Sequence, residues 1–242
     1  MKPLVTIVIP FYNDPYIDQA LQSALSQSYA PIEIIVVDDG STMHTERIQP
    51  YLPHIHYLGK ANGGTASALN HGIRFAAGEY IAWLSSDDVF YPDKIHNQIY
   101  YMLEHYAWIS HTNFNYLNNQ SQITHHRAGY ICTNDILDFY RSFLEGNPVN
   151  GCTVMMKKDL FYRVGMFNEQ LTYTHDLDLW RRVIQAGISF PYLDEALVGY
   201  RWHDGMGTMK HRSVILEEIA ITQRNVIHSL SPIVAAMERQ RS

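Results

Sequence analysis

Two adjacent carboxylates, Asp87 and Asp88, close the stretch Ala77–Asp88, in which an apolar run, Tyr80–Leu84, passes into Ser85 and Ser86. Side by side they repel, so a folded protein exposes them or supplies a counter-charge. A divalent cation carrying a phosphate is one such counter-charge, because hard cations take oxygen ligands. The plainer reading is a solvated turn before a helix that starts near Pro92. A second pair, Asp38-Asp39, follows the apolar run Ile32–Val37 and leads into Gly40-Ser41-Thr42. Two such pairs at the carboxyl ends of two buried strands would share a crevice on one sheet edge, where open α/β sheets bind ligands. A nucleotide suits that crevice: one carboxylate accepts from a base N–H or ribose hydroxyls, and the other pair holds a metal at the diphosphate. Further along, Asp176 stands at the head of a run with helical spacing (Leu177, Trp180, Val183, Ile184), where position alone makes it a favourable cap.

The elements that must position these groups alternate. Leu4–Ile9 is rich in β-branched residues and ends at Pro10, as a buried strand does. Asp14-Pro15 opens a helix carrying Ile17, Ala20, Leu21, Ala24 and Leu25, with Pro31 beyond its end. Ile32–Val37 is the next strand, which completes a right-handed βαβ unit. His56–Leu58 reads as a short third strand, Asn62-Gly63-Gly64 as a tight turn, Thr65–Phe75 as a helix and Tyr80–Leu84 as a fourth strand. The Gly63-Gly64 turn matches neither common phosphate-binding glycine pattern.

The second half is less regular. His111–Ile131 is polar and aromatic, with Asn113, Asn115, Asn118 and Asn119, weak strand signals and the character of an acceptor-facing region. A short helix is expected over Asp135–Leu144, a strand over Thr153–Met156 and a helix over Lys158–Val164. A final helix spans Ser213–Leu230, with Leu216, Ile219, Ala220, Val226, Ile227 and Leu230 on its apolar side. Asp178 falls on another helical side from Asp176, as a surface residue or a partner of Arg181 or Arg182.

Composition narrows the class. A chain of 242 residues, 46% hydrophobic, suits one globular domain, and a net charge of −6 excludes a nucleic-acid binder that grips many phosphates. Cys132 and Cys152 lack metal-type spacing and suggest reduced thiols in a cytoplasmic setting. No apolar run approaches the roughly 20 residues of a membrane span, so any membrane contact is peripheral.

The motifs together resemble the family 2 glycosyltransferases. They are Thr6–Asn13 (TIVIPFYN), Ser26–Tyr29 (SQSY), Glu33–Thr42 (EIIVVDDGST), Asn62-Gly63-Gly64, Asn70–Ile73 (NHGI), Gly78–Ile81 (GEYI) and Leu84–Asp88, in family order over roughly residues 4–205. Val198–His203 resembles the family's Tyr-Arg-x-His segment, and Gly165–Glu169 its Gly-x-Phe-Asp-Glu segment with Asn168 for Asp. The resemblance implies an α/β GT-A fold, a Rossmann-like, mostly parallel central sheet flanked by helices, with a smaller acceptor-side region and a C-terminal helix. Within a single domain, residues 1–110 would form the nucleotide-sugar half, 111–210 the acceptor and catalytic-base half, and 211–242 a helical tail.

The same resemblance implies a nucleotide-diphosphate sugar donor, foremost a UDP-sugar, a saccharide or lipid-linked saccharide acceptor, Mg²⁺ or Mn²⁺, and inversion at the anomeric carbon. Pro10, Tyr12, Asp39, Asn62, Asp87 and Arg201 would line the donor site. Asp39 would accept from the base, Tyr12 stack on it and Arg201 neutralise phosphate. Asp88 and His203 would hold the metal, and Asp176 would be the base that takes the acceptor's proton. Ser85 and His175 depart from the family, which has acids at both positions. Gly205–Thr208 reads as a loop that closes over the donor. Polysaccharide or glycoconjugate synthesis at the inner face of a membrane fits this activity. A non-catalytic nucleotide-sugar-binding protein of the same fold is the alternative, and a homodimer through the last helix stays open. A nucleotidyltransferase would need a basic, glycine-rich loop where Pro10–Asp14 stands.

Overall fold

The computed structural model describes residues 2–129, 135–203 and 212–241, with the backbone alone for 212–214. One sheet organises them. Its strands are β1 (Val5–Phe11), β2 (Ile32–Asp38), β3 (His56–Gly59), β4 (Tyr80–Trp83), β5 (Val89–Phe90), β6 (Ile109–Leu117), β7 (Ile123–His125), β8 (Met155–Lys157) and β9 (Tyr192–Arg201). They lie in the order β3-β2-β1-β4-β8-β6-β9-β5, with β7 pairing to β6 off that path. The first four are mutually parallel. β8 runs antiparallel to both β4 and β6, and β9 is parallel to β6 but antiparallel to β5. The helices are α1 (Ile17–Leu25), α2 (Thr65–Phe75), α3 (Lys94–Glu104), α4 (Ile136–Glu145), α5 (Leu160–Val164), α6 (His175–Gln185) and α7 (Arg212–Arg241). This is the expected GT-A-type α/β arrangement.

All seven residues of β1 are buried, because helices cover both faces of the sheet. Alternation along the strands sends Val8, Ile35 and Val37 to one side, against Leu69 and Ile73 of α2 and a layer that continues into α4, α6 and α7. Ile7, Ile9 and Val36 go to the other side, against Ile17 and Leu21 of α1 and Ile95 and Ile99 of α3. The turn Leu84–Asp88 joins β4 to β5 tightly, with Asp88 N–H donating to the Ser85 carbonyl at 3.2 Å. Three other strands separate β4 from β5 along the sheet, so the sheet bends back around this turn.

Residues 111–117, the start of the stretch expected as an acceptor region with weak strand signals, belong to the nine-residue strand β6. Several of its buried polar side chains have partners supplied: Asn113 Nδ2 donates to Asp194 at 3.0 Å, Asn115 Nδ2 to the Tyr91 hydroxyl at 3.1 Å, and Ser110 accepts from Gln98 at 3.0 Å. The last helix is also rotated from expectation. Ile215, Thr222, Val226, Leu230 and Val234 are buried, whereas Leu216, Ile219 and Ile227 are exposed. No helix among the described residues is long and apolar enough to cross a membrane. Cys132 and the 205–208 loop lie outside the described residues.

Candidate active site

Because β1, β2 and β4 are parallel, their carboxyl ends deliver Pro10, Asp38-Asp39 and the Ser85–Asp88 turn to one edge. The two acid pairs then diverge. Asp38 is consumed locally, accepting from Ser41 N–H at 2.7 Å and from the Tyr57 hydroxyl. Asp39, 3% exposed, holds the 60–64 loop. It accepts from Lys60 Nζ at 2.5 Å, from Gly63 N–H at 3.0 Å and from Gly64 N–H at 2.7 Å. Gly64 has φ +85°, a left-handed conformation that turns its N–H onto the carboxylate and favours glycine. Pro10 is buried opposite Val37, Tyr12 is exposed at the crevice and Asn62 is exposed on the loop that Asp39 anchors.

Asp88 is different: it is buried, Oδ1 accepts from the Arg201 backbone N–H at 2.8 Å, and Oδ2 has no partner among the described residues. Burial, and then the neighbouring Asp87 charge, push its carboxyl well above the usual range. Asp87 Oδ2 lies 3.3 Å from His203 Nε2, and the His203 ring packs edge-on against Tyr16. Asp14 joins this cluster. Burial first, and the Asp87 charge second, raise its carboxyl to about 6, while His203 and a hydrogen bond with Ser86 act in the opposite direction. The sequence pattern concealed Asp14, since an acid before Pro15 reads as a helix opener.

Arg201, expected to neutralise phosphate, is engaged by protein groups. It is fully buried and spends four of its five N–H donors on protein: Nε on the Asp87 carbonyl at 2.7 Å, Nη1 on the Asn118 carbonyl and Ser121 Oγ at 3.0 Å each, and Nη2 on Gln19 at 2.8 Å. Its guanidinium also stacks on Tyr16, 4.1 Å from the ring centre. Its charge therefore braces the acidic turn from behind.

Ser85, which departs from the family's acid, is bonded to Cys152: the thiol donates to Ser85 Oγ at 3.0 Å, and Ser85 N–H points at Sγ at 3.3 Å. Burial keeps that thiol protonated. Across a cavity of about 650 Å³, lined by Asp88, Cys152, Trp83, Tyr200 and Trp202 among others, stands Asp176. Gly151 forms part of the wall, and a Cβ there would fall 2.1 Å from the Trp83 ring. Asp176 sits in the first turn of α6; its Oδ2 accepts from Asn147 Nδ2 at 2.8 Å and its Oδ1 from Leu177 N–H at 2.7 Å. Burial raises its carboxyl above the ordinary value. Its neighbour His175 is kept neutral by burial, between Trp83 and Phe167 with ring centres 5.6 Å away in each case. Asp178, expected at the surface or beside an arginine, is buried and pairs with both Arg181 and Arg182.

The sequence model of glycosyl transferase family 2 matches residues 6–162, more than half of the chain. The chain belongs to glycosyltransferase family 2. An uncharacterised glycosyltransferase of Rickettsia typhi is 40% identical over 213 residues, covering 86% of this chain and 66% of its own length. TuaG of Bacillus subtilis, named as a candidate teichuronic acid biosynthesis glycosyltransferase, is 31% identical over 211 residues, covering 83% of this chain and 79% of its own. This family 2 chain thus spans about two thirds of the Rickettsia typhi relative, and only 39% of one from Rickettsia conorii. Among solved structures, TarS of S. aureus in complex with UDP-GlcNAc superposes with a TM-score of 0.68 at 20% identity, covering 84% of this chain and 59% of that one. Mannosyltransferase PcManGT of Pyrobaculum calidifontis, in complex with GDP-Man and Mn²⁺, gives 0.69 at 18% identity over 98% of this chain and 69% of that one. At these identities the likeness shows the shared GT-A fold.

The residues offered to a metal by this family 2 site pass one test. Asp88 Oδ2 is a buried acceptor without a hydrogen-bond partner among the described residues, and the adjacent Asp87 has His203 Nε2 at 3.3 Å. No preformed group of three or more His, Cys, Asp or Glu ligands occurs among the described residues.

Proposed function

We propose that this chain transfers a sugar from a nucleoside-diphosphate sugar to an acceptor hydroxyl, with inversion, in polysaccharide or glycoconjugate synthesis. One observation carries the reading: a single cavity is lined both by Asp88, whose buried Oδ2 has no hydrogen-bond partner among the described residues, and by Asp176 from the other half of the chain. The acceptor hydroxyl sits between them, gives its proton to Asp176 as the new bond to the anomeric carbon forms, and the nucleoside diphosphate departs on the Asp88 side. Single displacement from the face opposite the leaving group inverts that carbon.

Tyr12 stacks on the base. A base N–H reaching Asp39 competes with Lys60 Nζ for Oδ1, so Lys60 is the side chain that shifts when donor binds. Asp88, with Asp87 and His203 alongside, holds Mg²⁺ or Mn²⁺, which when bound neutralises charge on the departing diphosphate. A UDP-sugar is the first donor to try, given TarS with UDP and UDP-GlcNAc; a GDP-sugar is the second, given PcManGT. The acceptor is a saccharide or lipid-linked saccharide, and the exposed Leu216, Ile219 and Ile227 of α7 suit a peripheral membrane contact or a second copy.

The decisive experiment measures release of UDP and GDP from a panel of their sugars, with and without Mn²⁺ and acceptor. Metal-dependent release is expected. A chain that binds donor but turns over none of them is instead the non-catalytic binder, for which the replacement of family acids by Ser85 and His175 is the motive.

A further inference from the structure

The amide of Asn147, in the loop after α4, has its orientation fixed by its own bonds. Oδ1 accepts from Val149 N–H at 3.2 Å, which leaves Nδ2 to donate to Asp176 Oδ2 at 2.8 Å. Leu177 N–H holds the other carboxylate oxygen, and that donor is backbone of the same helix. Asn147 is thus the side chain that reaches Asp176 from a different element, and both residues line the cavity that Asp88 lines.

We infer that Asn147 is a positioning residue that holds Asp176 ionised and aimed into the cavity, and so sets the pH below which transfer fails. This rests on Asp176 as the base. A carboxylate is stabilised by each donor it accepts from, whereas a protonated acid forfeits one acceptor site. At Asp176, burial favours the protonated acid; the adjacent His175 charge, and after it the Leu177 and Asn147 bonds, oppose it.

The other charges nearby come from residues that an Asn147 substitution leaves in place. Burial pushes His175, adjacent on α6, toward its neutral form, the Asp176 charge opposes this, and the His175 charge in turn favours ionised Asp176 in wild type and variants alike. Across the cavity, burial drives both Asp88 and the Cys152 thiol toward their protonated forms. On α7, Glu218 is engaged by the backbone N–H groups of residues 172–174. Asp178, further along α6, takes Arg181 and Arg182, and Arg163 of α5 stacks on Trp108.

The test is a ¹³C NMR titration of the Asp176 carboxyl in the full chain, its signal assigned by loss in Asp176→Asn. Asn147→Leu should raise the midpoint by about one pH unit, a tenfold smaller ionised fraction at a pH below it. Asn147→Asp keeps an acceptor for Val149 N–H but replaces the donor with a like charge, and should raise the midpoint further. The acid limb of kcat should move by the same amounts. Midpoints equal to wild type in both variants overturn the inference. If Asp176→Asn still transfers sugar, the base assignment fails, and a shifted titration would leave the Asn147–Asp176 coupling standing without it.

Discussion

At the scale of single residues, the site's acids are distinguished by what already satisfies them. Asp38 and Asp39 have local donors, whereas one oxygen of the buried Asp88 has no hydrogen-bond partner among the described residues. Asp88→Ala should therefore abolish the extra donor affinity that Mn²⁺ confers while sparing metal-free nucleotide binding, as titration calorimetry with UDP would read; an unchanged metal increment would remove Asp88 as the ligand. Lys94 is the opposite case. Its ammonium is fully buried over the Phe90 ring, without a hydrogen-bond partner among the described residues, and burial lowers its pKa to about 7. The unfolded chain holds a proton up to about 10.5 that the folded chain gives up near 7, so this group's contribution to stability improves as pH rises between those values and is worst below 7. Lys94→Met should raise Tm, by most below pH 7 and by little above 10.5. A variant whose Tm gain is the same at both ends would contradict that account.

At the scale of elements, α6 delivers Asp176, and α7 holds the entrance to α6. One Glu218 carboxylate accepts from the backbone N–H groups of Thr172 at 2.9 Å, Tyr173 at 2.7 Å and Thr174 at 2.6 Å, and from Thr174 Oγ1 at 2.8 Å. Thr174 is the N-cap of α6, and Thr172 and Tyr173 are the residues that lead into it. Glu218→Ala strands their N–H groups, at a cost of about 2 kcal/mol or more, measurable by urea denaturation. Glu218→Gln retains an acceptor oxygen and should fall between the two; equal stability for all three chains would mean the clamp carries nothing.

The same scale explains what could be read from residues alone. β1, β2 and β4 announce themselves because helices cover both faces and leave uninterrupted apolar runs. β6 and most of β9 do not, because the buried asparagines and serine of β6 find partners on Asp194, Tyr91 and Gln98, and its His111 ring packs among Phe139, Phe190 and Tyr192, which only folding brings together. The placement of both acid pairs at strand ends was legible from the residues, whereas Asp176 read by position as a helix cap and came forward only through the family resemblance. Asp14 was not legible, since its neighbours Asp87 and His203 are brought to it only by folding, and neither was the protein socket of Arg201, whose partners lie at residues 19, 87, 118 and 121.

At the scale of the molecule, the two expected halves are not separable layers. β8 from the second half pairs with β4 of the first, and β5 of the first pairs with β9 of the second. The cavity walls alternate in the same way, with Trp83 and Asp88 from one half and Cys152 and Asp176 from the other.

That shared sheet bears on how such a protein could be recombined. A chimera that takes its donor half from one relative and its acceptor half from another cuts at an interior seam: ended at residue 110, the first half would bare the edge of β4, an open template for association with other chains. The graft would also divide the socket of Arg201 between two parents, Gln19 and Asp87 from one, Asn118 and Ser121 from the other. New specificity is more safely sought in the cavity lining than by exchange of halves.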